Sequence, residues 1–188
     1  MASDRAALTD LAEQLRRVTV EVAAAGEGLA CGVLWPRGYI VTNAHVARRS
    51  GVEVRLIDGR RRHPELMARD EEADLALLRI RDAELPIATI ADSGAARVGS
   101  FVVAIGHPLG VRGALTAGII HAIGPIVPGG RCWIQADVRL APGNSGGPLA
   151  DASGRVIGLN AMIVGGLALA IPMRRVMQFV RAAGVDTT

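Results

Sequence analysis

Short apolar runs separated by Gly- and Pro-bearing turns recur from Val18 to Ile171, and they constrain the fold more than any other feature of the chain. The first group is Val18–Val22, Leu29–Trp35, Tyr39–Thr42, Val52–Ile57, Arg62–Ala68 and Leu75–Ile80. A polar, Pro-containing stretch at Leu85–Ala96 reads as a linker. The second group is Phe101–Ile105, Leu115–Ile123, Trp133–Ala136, Val156–Ala161 and Leu167–Ile171. Each run has strand length, and no βαβ alternation is present. Helical spacing appears only at the ends. Leu8, Leu11, Leu15 and Val18 predict a short N-terminal helix, and Pro172–Ala183 predicts a C-terminal one with Pro near its first turn. The pattern predicts an all-β sandwich or barrel pair. A chain of 188 residues has room for one domain, or for two small barrels packed as one. Only 3% of residues are aromatic, so the core must be built from Ala, Val, Leu and Ile.

Charge and composition exclude several partners. The net charge is +3, and every cation is Arg. Small clusters at Arg48-Arg49 and Arg60-Arg61-Arg62 read as solvated loops. A nucleic-acid face needs a basic stripe interleaved with aromatics, and neither occurs. Cys31 and Cys132 lie in apolar, strand-like stretches and read by default as buried free thiols, with a disulfide between them as the lesser alternative and no metal-ligand spacing. The first twenty residues are too charged for an apolar signal core. The apolar run Val156–Met173 holds Asn160, Gly165-Gly166 and Pro172, so it reads as two strands around a Gly-Gly turn rather than as a membrane span. A soluble chain is expected, with the compartment left open between cytoplasmic and periplasmic or otherwise extracytoplasmic.

The strongest local signal is Pro142-Gly143-Asn144-Ser145-Gly146-Gly147-Pro148-Leu149. A Ser between glycines suits a nucleophile on a sharp, exposed turn, where Gly lets amide N–H groups converge. The same run matches the G-x-S-x-G elbow of α/β-hydrolases. Those enzymes place their His after the Ser, and no His follows His121, so the elbow reading fails on chain order. A nucleophilic Ser needs a base, and the base needs an orienting carboxylate. Of four His, His63 lies in an Arg-rich loop, His107 precedes Pro108 in a turn, and His121 sits within a strand-like run. Each of these reads as filler. His45 follows a strand in Thr42-Asn43-Ala44-His45-Val46, and Asp74 opens the apolar run Asp74-Leu75-Ala76-Leu77-Leu78. The order His45, Asp74, Ser145 is that of the two-barrel proteases.

TNAHV, DLALL and PGNSGGPL resemble the three catalytic motifs of the HtrA (Deg) family of trypsin-like serine proteases. Ala104–Gly110, Thr116–Ile120, Ile134–Asp137 and Leu169–Pro172 resemble that family too, so the likeness covers roughly residues 15–183. The resemblance implies two packed six-stranded β-barrels with short terminal helices, about 15–90 and 97–171, followed by a helix at 172–183. It implies a serine endopeptidase acting on polypeptides without a cofactor or metal. Ser145 would be the nucleophile, His45 the base and Asp74 its orienting carboxylate, with the N–H groups of Gly143 and Ser145 as the oxyanion hole. Leu140 matches a position in the S1 pocket. Ala161, Met162 and Ile163 match the strand that pairs with the substrate backbone. Because Leu140 and Ile163 are apolar and no Asp sits at the pocket base, a small or medium aliphatic P1 residue is expected, rather than Lys or Arg.

This sequence departs from the family pattern at several points. Ala161 stands where relatives commonly carry a Thr whose hydroxyl supports the orienting Asp. Asn144 replaces the Asp that pairs with a new N-terminus in digestive relatives, so zymogen cleavage is not the expected switch. Most members carry a PDZ domain after the protease domain, and this chain stops soon after its last helix. Trimeric members use aromatics near the N-terminus. None precedes Trp35, so a homo-oligomer stays open and a trimer is in doubt. The competing reading is a peptide-binding, chaperone-like module on the same fold with little hydrolysis.

Overall fold

The computed structural model describes residues 2–24, 28–48, 51–81, 85–91, 94 and 96–185. Arg49, half of one expected basic cluster, lies outside them. Helix α1 (Ala2–Arg17) buries Leu11 and Leu15 and hands the chain to strand β1 (Thr19–Ala24). Strands β2 (Gly28–Leu34), β3 (Tyr39–Thr42), β4 (Glu53–Arg55), β5 (Arg61–Arg62), β6 (Glu65–Asp70) and β7 (Leu75–Arg79) complete a seven-stranded sheet of order β5-β4-β1-β2-β3-β7-β6. The run expected at Arg62–Ala68 is split, because His63-Pro64 falls in its middle and Pro has no N–H to give a ladder. The two outermost strands are therefore consecutive in the chain. Two residues cannot bridge a flat seven-stranded sheet, so the sheet curls until its edges come close. It is a half-barrel closed by the chain rather than by a ladder.

The second unit closes fully. Strands β8 (Phe101–Gly106), β9 (Ala114–Pro125), β10 (Cys132–Ala136), β11 (Pro148–Asp151), β12 (Val156–Val164) and β13 (Leu167–Pro172) form a barrel of order β10-β13-β12-β11-β8-β9. Helix α2 (Met173–Ala182) follows at once and buries Met173, Val176, Phe179 and Val180 at helical spacing. Cys31 and Cys132 are both free, but only Cys31 is buried. Cys132 is the first residue of β10, paired with the last residue of β9, so it stands at the barrel's rim and is exposed.

The stretch between the units is more than a tether. Ala88 N–H donates to the Leu34 carbonyl at 3.1 Å on one side. Ala91 N–H donates to the Val156 carbonyl at 3.0 Å on the other. A continuous apolar cluster runs from Leu15, Val41 and Leu77 through Ile105 and Leu159 to Val176, so the two sheets share one core. The seam between them carries the candidate site.

Candidate active site

Strand pairing brings His45 to Asp74. β3 and β7 are antiparallel, with Thr42 opposite Ala76, so the end of β3 lies beside the start of β7. Immediately after β3 the chain makes one helical turn, in which Val46 N–H donates to the Asn43 carbonyl at 3.1 Å. His45 rides on that turn. Asp74 sits at φ 56, the left-handed region that Asp tolerates better than most residues. Asn43 Nδ2 donates to its carbonyl at 3.1 Å, which fixes the strained turn from below.

The Asp74 carboxylate then does two things. Oδ1 accepts the backbone N–H of His45 at 3.0 Å, and both oxygens lie 2.9 Å from His45 Nδ1. A carboxylate is an acceptor, so Nδ1 carries the proton, and in the neutral ring Nε2 keeps its lone pair. The Asp74 side chain is 11% exposed and the His45 side chain 33%, so the pair is sheltered on one side and open on the other.

Ser145 lies across the seam. It shares a cavity of about 160 Å³ with His45, walled by Val22, Leu29, Ala30 and Val46 of the first unit and by Pro142 and Gly143 of the second. Its hydroxyl donates to the Ala161 carbonyl at 3.1 Å and makes no hydrogen bond to His45. A Ser hydroxyl has a single rotor, so turning it toward the imidazole costs only that one bond.

The turn that carries Ser145 is held by its carbonyls. Asn144 N–H and Nδ2 both donate to the Ala141 carbonyl, at 3.1 and 3.0 Å. Gly143 has φ 108 and follows a Pro, the signature of a type II turn. The Pro142 carbonyl accepts from Leu109 N–H at 3.1 Å. The Gly143 carbonyl accepts from His107 N–H at 3.0 Å and from the Cys31 thiol at 3.0 Å. The Ser145 carbonyl accepts from Cys31 N–H at 2.7 Å, which docks the turn on the first unit. In a trans peptide the N–H opposes the C=O. The Pro142 carbonyl shares its peptide with the Gly143 N–H, and the Asn144 carbonyl, which shares its peptide with the Ser145 N–H, accepts from Gly147 N–H at 3.0 Å; the N–H groups of Gly143 and Ser145 donate to no acceptor among the described residues. Only Gly fits at 146, where a Cβ would strike the Cys31 carbonyl and the Thr42 hydroxyl. Burial pushes the Cys31 thiol up to about 12, with Glu21 adding to the rise and His107 N–H opposing it, so the thiol remains a donor.

The remaining candidates divide. Ala161 is buried, while Met162, Ile163 and Val164 are 37%, 47% and 44% exposed. β11 pairs with β12 only as far as Leu159, so from Ala161 onward that edge of β12 has no strand beside it. Leu140 is half-buried against the interior of the second barrel and is not part of the cavity wall. His63 and His121 are exposed and distant in role, whereas His107, read as turn filler, is buried beside the Ser145 turn. Sequence reasoning missed Asn43, Cys31 and His107. The first two stand inside or near recognisable motifs, but their contacts span 31 and 112 positions and leave no local signature.

Residues 30–159 match the model of the trypsin-like peptidase domain. The chain belongs to that family. Among curated relatives, the probable periplasmic serine endoprotease DegP-like of Hahella chejuensis is 40% identical over 151 residues, 79% of this chain and 32% of that protein. The protein of the same description from Halomonas elongata is 43% identical over 145 residues, 72% of this chain and 31% of its own. Among solved structures, the HtrA-type protease AlgW with tripeptide superposes with a TM-score of 0.86 at 34% identity, covering 94% of this chain and 64% of that one. AlgW with decapeptide gives 0.85 at 28% identity, covering 93% and 66%. The family member described here is thus HtrA-like in sequence and fold, and it spans about a third of the length of the curated relatives it matches. No helix among the described residues is long and apolar enough to cross a membrane.

Proposed function

We propose that this chain is a serine endopeptidase domain in which His45, Asp74 and Ser145 form the catalytic triad. The observation that carries the reading is the His45–Asp74 pair, whose imidazole lines the cavity shared with Ser145. Ser145 Oγ attacks the scissile carbonyl as His45 Nε2 takes its proton. Asp74 keeps the imidazole in the right tautomer and stabilises its charged form. The N–H groups of Gly143 and Ser145 receive the developing oxyanion, and His45 then protonates the leaving amine. Water repeats the sequence to release the acyl group.

The substrate is an extended polypeptide segment, drawn from unfolded or exposed stretches as in quality control. The unpaired edge of β12 at Ala161–Ile163 offers main-chain groups for a strand to add to, which selects for extended backbone. Ile163, apolar and exposed on that strand, supports a small or medium aliphatic P1. One observation favours a second reading, a binding module with weak hydrolysis: the Ser145 hydroxyl rests on the Ala161 carbonyl rather than on His45.

A fluorophosphonate probe separates the two. Wild type should label at Ser145 and cleave an unfolded protein after Val, Ala or Ile. Ser145→Ala should neither label nor cleave, with a loss of about 10⁶-fold in turnover. A folded wild type that does neither, at any pH between about 6 and 9, overturns the peptidase reading in favour of the binding module.

A further inference from the structure

His107 is only 6% exposed, and the proposed chemistry does not use its side chain. It opens the loop 107–113 after β8, and that loop grips the Ser145 turn through two backbone N–H groups. His107 N–H holds the Gly143 carbonyl and Leu109 N–H holds the Pro142 carbonyl. The imidazole closes the same loop on itself, because Nδ1 accepts the N–H of Gly113 at 3.1 Å. Accepting there requires an unprotonated Nδ1, so the neutral ring carries its proton on Nε2. Nε2 is buried without a hydrogen-bond partner, and His107 is part of the wall of a cavity of about 130 Å³. The far end of the loop is anchored to α1, where Arg16 Nε donates to the Gly113 carbonyl at 2.8 Å.

We propose that His107 is a positioning residue: its neutral imidazole, by closing the 107–113 loop on Gly113, keeps the Pro142 and Gly143 carbonyls turned away from the cleft, and its protonation releases them. The inference rests on reading the Gly143 N–H as an oxyanion donor. An imidazolium must donate from both nitrogens, so Nδ1–H would face Gly113 N–H and the bond would be lost. The surroundings oppose that charge. Arg16 on α1, Arg55 on β4 and Arg112 on the loop line the cavity. Glu21 on β1 favours protonation, but its Oε2 already accepts Arg112 Nε at 2.8 Å. Cys31 on β2 stays neutral. Burial holds His107 below the ordinary imidazole value; the Glu21 carboxylate opposes the shift, Arg112 reinforces it, and the Val20 carbonyl weakly opposes it.

The sign of the pH effect follows. The unfolded chain titrates His107 near about 6.5 and the folded one lower, so below that pH the unfolded state binds the extra proton. His107 therefore costs no stability above about pH 6.5 and progressively more as pH falls toward its folded value.

The test compares wild type with His107→Asn, whose side-chain oxygen can replace Nδ1 as acceptor but does not titrate, and with His107→Leu, which fills space without an acceptor. At about pH 8, where the wild-type imidazole is neutral, His107→Leu should lose about tenfold or more in kcat and in the rate of fluorophosphonate labelling, with KM within about twofold. His107→Asn should stay within about threefold of wild type. Its melting temperature should also fall less than that of wild type between about pH 8 and 5. Nitrogen-15 NMR of wild type should show Nε2–H and a bare Nδ1 at neutral pH. Full kcat in His107→Leu, an Nδ1–H tautomer, or equal acid sensitivity in His107→Asn each overturns the proposal. Should His107→Leu fail to fold, the tautomer and the His107→Asn arms decide alone. Those two arms also judge the inference if folded wild type proves unlabelled, an outcome that sinks the peptidase reading instead.

Discussion

The two sides of the seam hold His45 and Ser145 by different means. On the first unit, His45 is set by side-chain atoms: the Asp74 carboxylate grips both its ring and its backbone N–H, and Asn43 Nδ2 grips Asp74 in turn. On the second unit, Ser145 is set by main-chain atoms, with the carbonyls of 142, 143 and 145 each tied to an N–H of a neighbouring segment. Side-chain holding makes His45 sensitive to chemistry at single positions and leaves its backbone ordinary, Asp74 apart. Main-chain holding makes the placing of Ser145 tolerant of side-chain identity wherever the backbone conformation survives. It also makes it intolerant of any Cβ at Gly143 or Gly146.

Three substitutions probe that contrast. The largest effect is expected from Asp74→Asn, which keeps the shape but presents an amide to Nδ1 and so allows the wrong tautomer; kcat should fall about 10⁴-fold. The melting temperature read alongside should move little, and a large drop would mean that the carboxylate serves the fold first. Gly143→Ala comes next. Its φ of 108 suits glycine alone and its Cβ would meet the His107 carbonyl. The type II turn should give way, with a loss of about 10²–10³ in kcat and little change in KM. An unchanged kcat would break the claim that backbone conformation sets this half of the site. The smallest effect is reserved for Cys31, where a side chain does help to hold the turn. Cys31→Ala removes the thiol donor to Gly143, at a cost of about 0.5–1.5 kcal/mol, and should lower kcat by roughly tenfold or less. Cys31→Ser should restore most of it; equal rates in the two variants would show that the thiol merely fills space.

The same contrast explains what the sequence made legible. Strands β1 to β4, β7, β8, β10, β12 and β13 were visible as apolar runs because each buries side chains in its own sheet, and β9 was visible by its Ile-rich composition although only Ile120 in it is buried. β11 was not, since Pro148–Asp151 is short and abuts a Gly-rich turn; its strand character comes from β8 on one side and β12 on the other. The Arg62–Ala68 run was broken by Pro64, a residue whose effect depends on which edge it occupies. His45 and Asp74 were weak singly and persuasive by their order and flanking residues. His107 was opaque, because its burial depends on Glu21 and Arg112, which are far apart in the chain and meet only when the two units pack. Cys132 misled for a related reason: an apolar neighbourhood in sequence says nothing about standing at a barrel's rim.

The shared apolar core has a consequence for the seam. Leu77 of one sheet, Leu159 of the other and Val176 of the last helix belong to a single buried cluster, whereas the second barrel also keeps a separate cluster around Ile120, Ile134 and Leu149, so it is the first unit that has no interior wholly its own. A half-barrel whose closure relies on His63-Pro64 cannot lose its partner and keep its apolar face dry. Opening the seam would then wet the interior of the first unit, so the distance between Ser145 and His45 is guarded by that burial rather than by the weaker energy of two docked parts.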